Sequence, residues 1–203
     1  MEANKKNLKH AIIISSLLLI MFSCSSRQYA MNSFEKNATN IPVKDSVLLS
    51  LQQQNDIVIA YAVDNTAWSK SSTYQILAKN KDEWSGYYYF VNYSAPGSNF
   101  NINPVMVPKE SCDSLLAYIK QNEIWQIKGD EGGNFCNSPA SNCNINDGQT
   151  WRLMVLTRSK ASQCSFYEPA FYEGCCPGNA GRKLFINTAY KIQQLVSESG
   201  GGR

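Results

Sequence analysis

Imidazole is almost missing from this chain, which carries a single histidine, His10, among 203 residues. From residue 11 onward no side chain can serve as the base of a Ser-His-Asp or Cys-His mechanism, and the commonest transition-metal ligand is gone as well. Hydrolases of those classes are excluded over that stretch. What survives is chemistry by carboxylates, Lys or Tyr, or binding without chemistry. No Cys-x-x-Cys spacing occurs, which argues against a thioredoxin-like redox site and a zinc ribbon. Charge of one sign is scarce too: 19 basic residues stand against 16 acidic ones, and three of those lysines fall within the first ten residues. Nucleic acid is therefore not an expected partner, since that would require a basic patch or stripe. Neither a metal nor a cofactor is expected. A membrane-spanning run is lacking as well: the longest apolar stretch, 11–22, is well short of the roughly 20 residues a span needs, and Ser15 and Ser16 interrupt it.

The first 24 residues do carry a pattern. Lys5, Lys6 and Lys9 precede the apolar run AIIISSLLLIMF, and Ser23, a small residue, stands directly before Cys24. That order is the positive, apolar and small-residue sequence of a secretory signal. Over Met21-Phe22-Ser23-Cys24 it resembles a bacterial lipoprotein signal with a relaxed lipobox. The resemblance implies cleavage before Cys24, fatty acyl chains such as palmitate on its thiol and amine, and a mature protein tethered to the cell envelope. The expected partner is the envelope membrane, reached through the lipid on Cys24, in the outer membrane of a Gram-negative bacterium. Several acyl chains anchor stably where one holds only marginally. Cleavage there would also remove His10.

Four segments follow: a signal peptide at 1–23, a polar tether at 24–43, one globular domain at 44–198 and a flexible tail at 199–203. Within the domain, Asp45 can cap a helix reaching Gln54, with Val47, Leu48 and Leu51 on one face. The segment 56–63 is apolar on both faces and reads as a central strand. Strands are expected at 73–78 and 84–93 across the turn Lys79-Asn80-Lys81-Asp82, with an edge strand at 101–107 that tolerates Pro104. A second helix spans 111–121, capped by Ser111. A long loop occupies 129–148, strict alternation makes 150–157 a strand, and 164–173 is a bent strand or packed loop around Pro169. A last helix runs from Arg182 to Glu198. Consecutive strands with helices between and after them predict an α+β domain: a mainly antiparallel sheet with about three helices, stapled by disulfides.

Six cysteines remain after Cys24: Cys112, Cys136, Cys143, Cys164, Cys175 and Cys176. In an oxidising compartment an even number reads as a disulfide framework, here of three bridges. Cys136–Cys143 is the first pair suggested by local closure. The adjacent Cys175 and Cys176 should go to different partners, because a ring between neighbours strains the backbone.

Three local features point to binding. In WSGYYYFVNY, alternation places Trp84, Tyr88 and Phe90 on one face and Tyr87, Tyr89, Val91 and Tyr93 on the other. If the first face is core, the tyrosine row is free to stack on sugar rings or peptide side chains; otherwise these aromatics fill a covered sheet. In CCPGNAGRK, Asn179 can cap the last helix while Arg182 and Lys183 occupy its first turn, which suits an anion or is a plain cap beside a disulfide. NCNINDG has a calcium-like alternation of Asn but lacks the bidentate carboxylate, so it reads as a turn. No catalytic residues can be nominated. The expected function is a membrane-tethered binding or structural module with a glycan or protein ligand. The alternative is an enzyme acting on glycan or peptidoglycan through two carboxylates.

Overall fold

The structure is a computed structural model, and it describes residues 34–65, 69–94, 99–130, 135–136 and 143–198. The signal, Cys24 and the tail at 199–203 lie outside the described residues. Residues 34–37 form one helical turn in an N-terminal unit that ends at Asn37, and the α+β unit begins at Ala38.

Asp45 ends an extended approach and caps α1 (Ser46–Gln54), its Oδ1 accepting from the amides of Val47 at 2.9 Å and Leu48 at 3.0 Å. Four strands then run as a meander: β1 (Ile57–Asn65), β2 (Ser71–Asn80), β3 (Glu83–Asn92) and β4 (Asn99–Val105). Lys81, with a left-handed φ of 55°, turns the chain between β2 and β3. After β4 come α2 (Lys109–Gln121) and a short 3-10 turn, Ile124–Gln126. The chain returns as β5 (Thr150–Thr157), pairs back as β6 (Ala161–Tyr167), and ends with α3 (Pro169–Cys175) and α4 (Ala180–Glu198). The sheet is six-stranded and antiparallel in the order β4-β3-β2-β1-β5-β6. The α+β reading therefore holds, and β1 is interior because β5 crosses over to its free side.

Register sorts the side chains into two layers. One face carries Val58, Ala60 and Ala62 of β1, Tyr74 and Ile76 of β2, Tyr89 and Val91 of β3, and Met154 and Leu156 of β5, packed against Leu48 and Leu51 of α1. The opposite face carries Ile59, Leu77, Val155 and Phe166 beneath Ile119 of α2 and Phe185, Ala189 and Ile192 of α4. α2 is moored over the start of β3 by Asp113, which accepts from Lys79 at 2.5 Å, Trp84 at 3.0 Å and Lys109 at 2.8 Å.

The two sheet edges differ. Beyond β6, Gly129 lies so close to Ser165 that a Cβ there would collide with the Ser165 carbonyl, and Asp130 accepts from the Tyr167 amide at 3.0 Å. The Ile41 amide donates to the Ala161 carbonyl at 2.9 Å. Residues 38–43, expected to be part of the tether, are thus bound to the sheet. At the other edge, β4 pairs with β3 alone and places Pro104 where no ladder donor is needed.

Three boundaries shift for physical reasons. α2 begins at Lys109, two residues ahead of Ser111, because Pro108 serves as its N-cap, the Pro108 carbonyl accepting the first helical bond from the Cys112 amide at 3.1 Å. The segment 164–173 divides into a strand and a helix: Glu168 turns with a φ of 41° and Pro169 opens α3. The framework has two bridges rather than three among the described residues. Cys136 pairs with Cys176 and Cys143 with Cys175, so the local pair Cys136–Cys143 does not form, while the adjacent cysteines do take different partners. Cys112 on α2 and Cys164 on β6 are buried free thiols enclosed in the apolar layer. Among the described residues, no helix is long and apolar enough to cross a membrane.

Candidate functional site

A cavity of about 460 Å³ opens on the α1 face of the sheet, between the approach to α1 and strands β2, β5 and β6. Its apolar side is formed by Ile41, Val43, Leu48 and Met154. Its polar side is formed by Asp45, Tyr74, Tyr93, Arg152 and Gln163, with Lys44 at the rim. The strands place these groups by register: Tyr74 and Arg152 both lie opposite Ala62 of β1, and Gln163 lies opposite Met154. The small Ala62 leaves room for the two long side chains to meet above it.

They do meet. Arg152 Nη2 donates to Tyr74 Oη at 2.9 Å and to Asp64 Oδ1 at 2.7 Å, while its Nε makes an ion-pair contact with Asp64 Oδ2 at 2.5 Å. Ser72 Oγ donates to the same Asp64 carboxylate at 2.5 Å. The Tyr74 ring stacks on Tyr89 with centroids 5.1 Å apart, and Tyr89 Oη donates to Asp45 Oδ2 at 3.0 Å. Burial, ahead of any neighbouring charge, holds both phenols above the ordinary tyrosine range. These hydroxyls stay protonated at neutral pH and act as hydrogen-bonding groups. Both carboxylates near the cavity hold structure together, Asp45 as cap and tyrosine acceptor, Asp64 as the partner of Arg152 and Ser72. The arrangement suits recognition of a small ligand with an apolar body and a polar end.

The nominated residues separate. Tyr89 is buried and Tyr87 half-buried, both on the α1 face, so the tyrosine row is chiefly core; Tyr93, at the cavity mouth, stays exposed. The covering of that face by α1 is what alternation alone does not tell. Arg182 is only 1% exposed: Nε donates to Glu173 at 3.1 Å, and Nη1 and Nη2 donate to the carbonyls of Phe135 and Cys176 at 2.6 Å each. It is a fastener for the disulfides and is unavailable to an anion. Lys183 is exposed, and Asn179 caps α4 by accepting from the Arg182 amide at 2.9 Å. The described part of NCNINDG is a turn, with Asp147 at a φ of 59° and the Gly148 amide donating to Tyr167 Oη at 2.7 Å.

Sequence reading misses Arg152 and Asp64. A signal for them exists: one charge inside the alternating strand TWRLMVLT and one at the end of the apolar run DIVIAYAVD, each needing a partner on a mostly covered sheet. No protein-family model matches the chain, and no curated protein matches it.

Proposed function

We propose that the chain is a membrane-tethered envelope lipoprotein that acts as a binding module, with the cavity beside α1 as its receptor site. The N-terminal pattern around Cys24 supports the tether. The observation that carries the binding reading is the cavity itself: its volume of about 460 Å³ is within the range of small-molecule sites, and apolar residues share it with a few convergent polar groups. A ligand would lay its apolar body against Ile41, Val43, Leu48 and Met154. Its polar end would meet Arg152, Gln163 and the Tyr93 hydroxyl.

Native mass spectrometry of the full chain purified from envelopes tests the receptor site. A bound small molecule is expected on the unaltered chain and should be lost from Gln163→Trp, whose indole would fill the cavity from β6. A chain that carries no small molecule, or a Gln163→Trp chain that carries as much, overturns the reading. The tether has a separate test: palmitate labelling should vanish in Cys24→Ala, and labelling that persists removes the lipoprotein assignment.

A further inference from the structure

We infer that the face of β3 opposite the cavity is a second binding site, a flat platform for an uncharged glycan chain. Tyr88 and Phe90 point to the α2 and α4 side of the sheet and, although both helices approach β3, remain 40% and 37% exposed. They stand two residues apart on one strand, about 7 Å along it, so their rings lie side by side on one face.

Cross-strand register supplies the chemistry between and around the rings. Tyr88 lies between Gln75 of β2 and Asn103 of β4, and Phe90 lies between Thr73 and Asn101. Each aromatic therefore has an uncharged polar side chain on both sides; the two β4 asparagines are exposed, whereas the Gln75 carbonyl oxygen is buried and leaves the polar contacts to the β4 side. A carboxamide donates and accepts, which matches the hydroxyls on the edge of a sugar ring, while the apolar ring faces of a sugar match aromatic rings. None of these six side chains is charged, so an uncharged glycan gives up no ion hydration on docking. The next pair along the strands closes one end, where Val105 and Val107 crowd over Gly86 so closely that a Cβ there would come within 2.6 Å of Val107 Cγ1. An extended peptide adding to the β4 edge is the less favoured occupant, because Pro104 removes a donor there and edge pairing would leave Tyr88 and Phe90 unused.

Affinity electrophoresis and calorimetry of the full chain in mild detergent, with cellohexaose, chitohexaose and xylohexaose as probes, test this. At least one hexasaccharide should bind. Tyr88→Ala with Phe90→Ala should weaken it about tenfold or more, and Asn101→Ala with Asn103→Ala several-fold, with little change in melting temperature because all four side chains are exposed. Gln163→Trp should bind glycan normally, which separates this platform from the cavity reading. No binding to any of the three, or equal binding by the aromatic double variant, overturns the inference. Retention of an extended peptide library that the same aromatic variant loses, without glycan binding, overturns it in favour of a protein partner.

Discussion

The Tyr89 hydroxyl donates to Asp45 Oδ2 at 3.0 Å while the other oxygen of that carboxylate caps α1, so one side chain fastens a helix start to β3, the strand beside the β4 edge. Losing it should cost more than a cap alone. Asp45→Ala is expected to lower stability by about 2 kcal/mol, the sum of a cap and an unpaired phenol, whereas Asp45→Asn should lose less because Asn also caps well. Tyr89→Phe should cost about 1 kcal/mol. In a denaturant double-mutant cycle, Asp45→Ala and Tyr89→Phe should be non-additive; additive losses would show that the two groups do not interact.

Burial also raises the Tyr61 phenol, alongside Tyr74 and Tyr89. In the unfolded chain these groups lose their protons near pH 10, whereas in the folded chain they keep them to higher pH. Between those limits the folded state binds more protons, so stability falls as pH rises. Full stabilisation is expected below pH 10, with progressive loss above it. Ultraviolet titration should show the phenols of Tyr61, Tyr74 and Tyr89 ionising only as the fold melts. Smooth titration of all eleven tyrosines near pH 10 in the folded protein would contradict it.

How much of this could be read beforehand depends on whether the signal was local. β5 was legible to the residue because Trp151, Leu153 and Val155 alternate without interruption, and α1 because Asp45 precedes its apolar stripe. Alternation also placed Tyr87 and Tyr89 together correctly, but it carries no information about which face a distant helix covers. The cavity was illegible for a related reason. Ile41, Tyr74, Arg152 and Gln163 come from four separate segments and meet only through strand order. Disulfide partners are non-local in the same way, and nearness in sequence favoured Cys136–Cys143 where folding joins 136 to 176.

The two unbridged thiols should be silent until the protein opens. Burial pushes Cys112 up to about 11 and Cys164 up to about 12, so neither is a thiolate at neutral pH. Alkylation of the native domain should modify neither, and alkylation in denaturant without reductant should modify both and leave Cys136, Cys143, Cys175 and Cys176 untouched. Peptide mapping decides it. Protection of Cys112 and Cys164 in denaturant would reveal a third bridge.

Arg182 should behave as a buried structural cation. Arg182→Ala strands Glu173 and two carbonyls and is expected to cost about 3–5 kcal/mol. Arg182→Lys should recover little, since a single ammonium cannot replace a fork that spans three acceptors. Thermal melts measure both. A lysine variant as stable as the original would show that the guanidinium geometry is immaterial.

The bridge between Cys136 and Cys176 has a mechanical consequence for the folded chain. Its sulfurs close a covalent ring 40 residues around that contains β5, β6 and α3. Tension applied through the two termini bypasses this ring, so roughly 140 Å of contour length stays hidden until the bridge is reduced. The load therefore falls on the elements outside the ring, β1 to β4 with α1, α2 and α4, while β5 and β6 stay looped together as a hairpin that can template the return of β1 once the force relaxes.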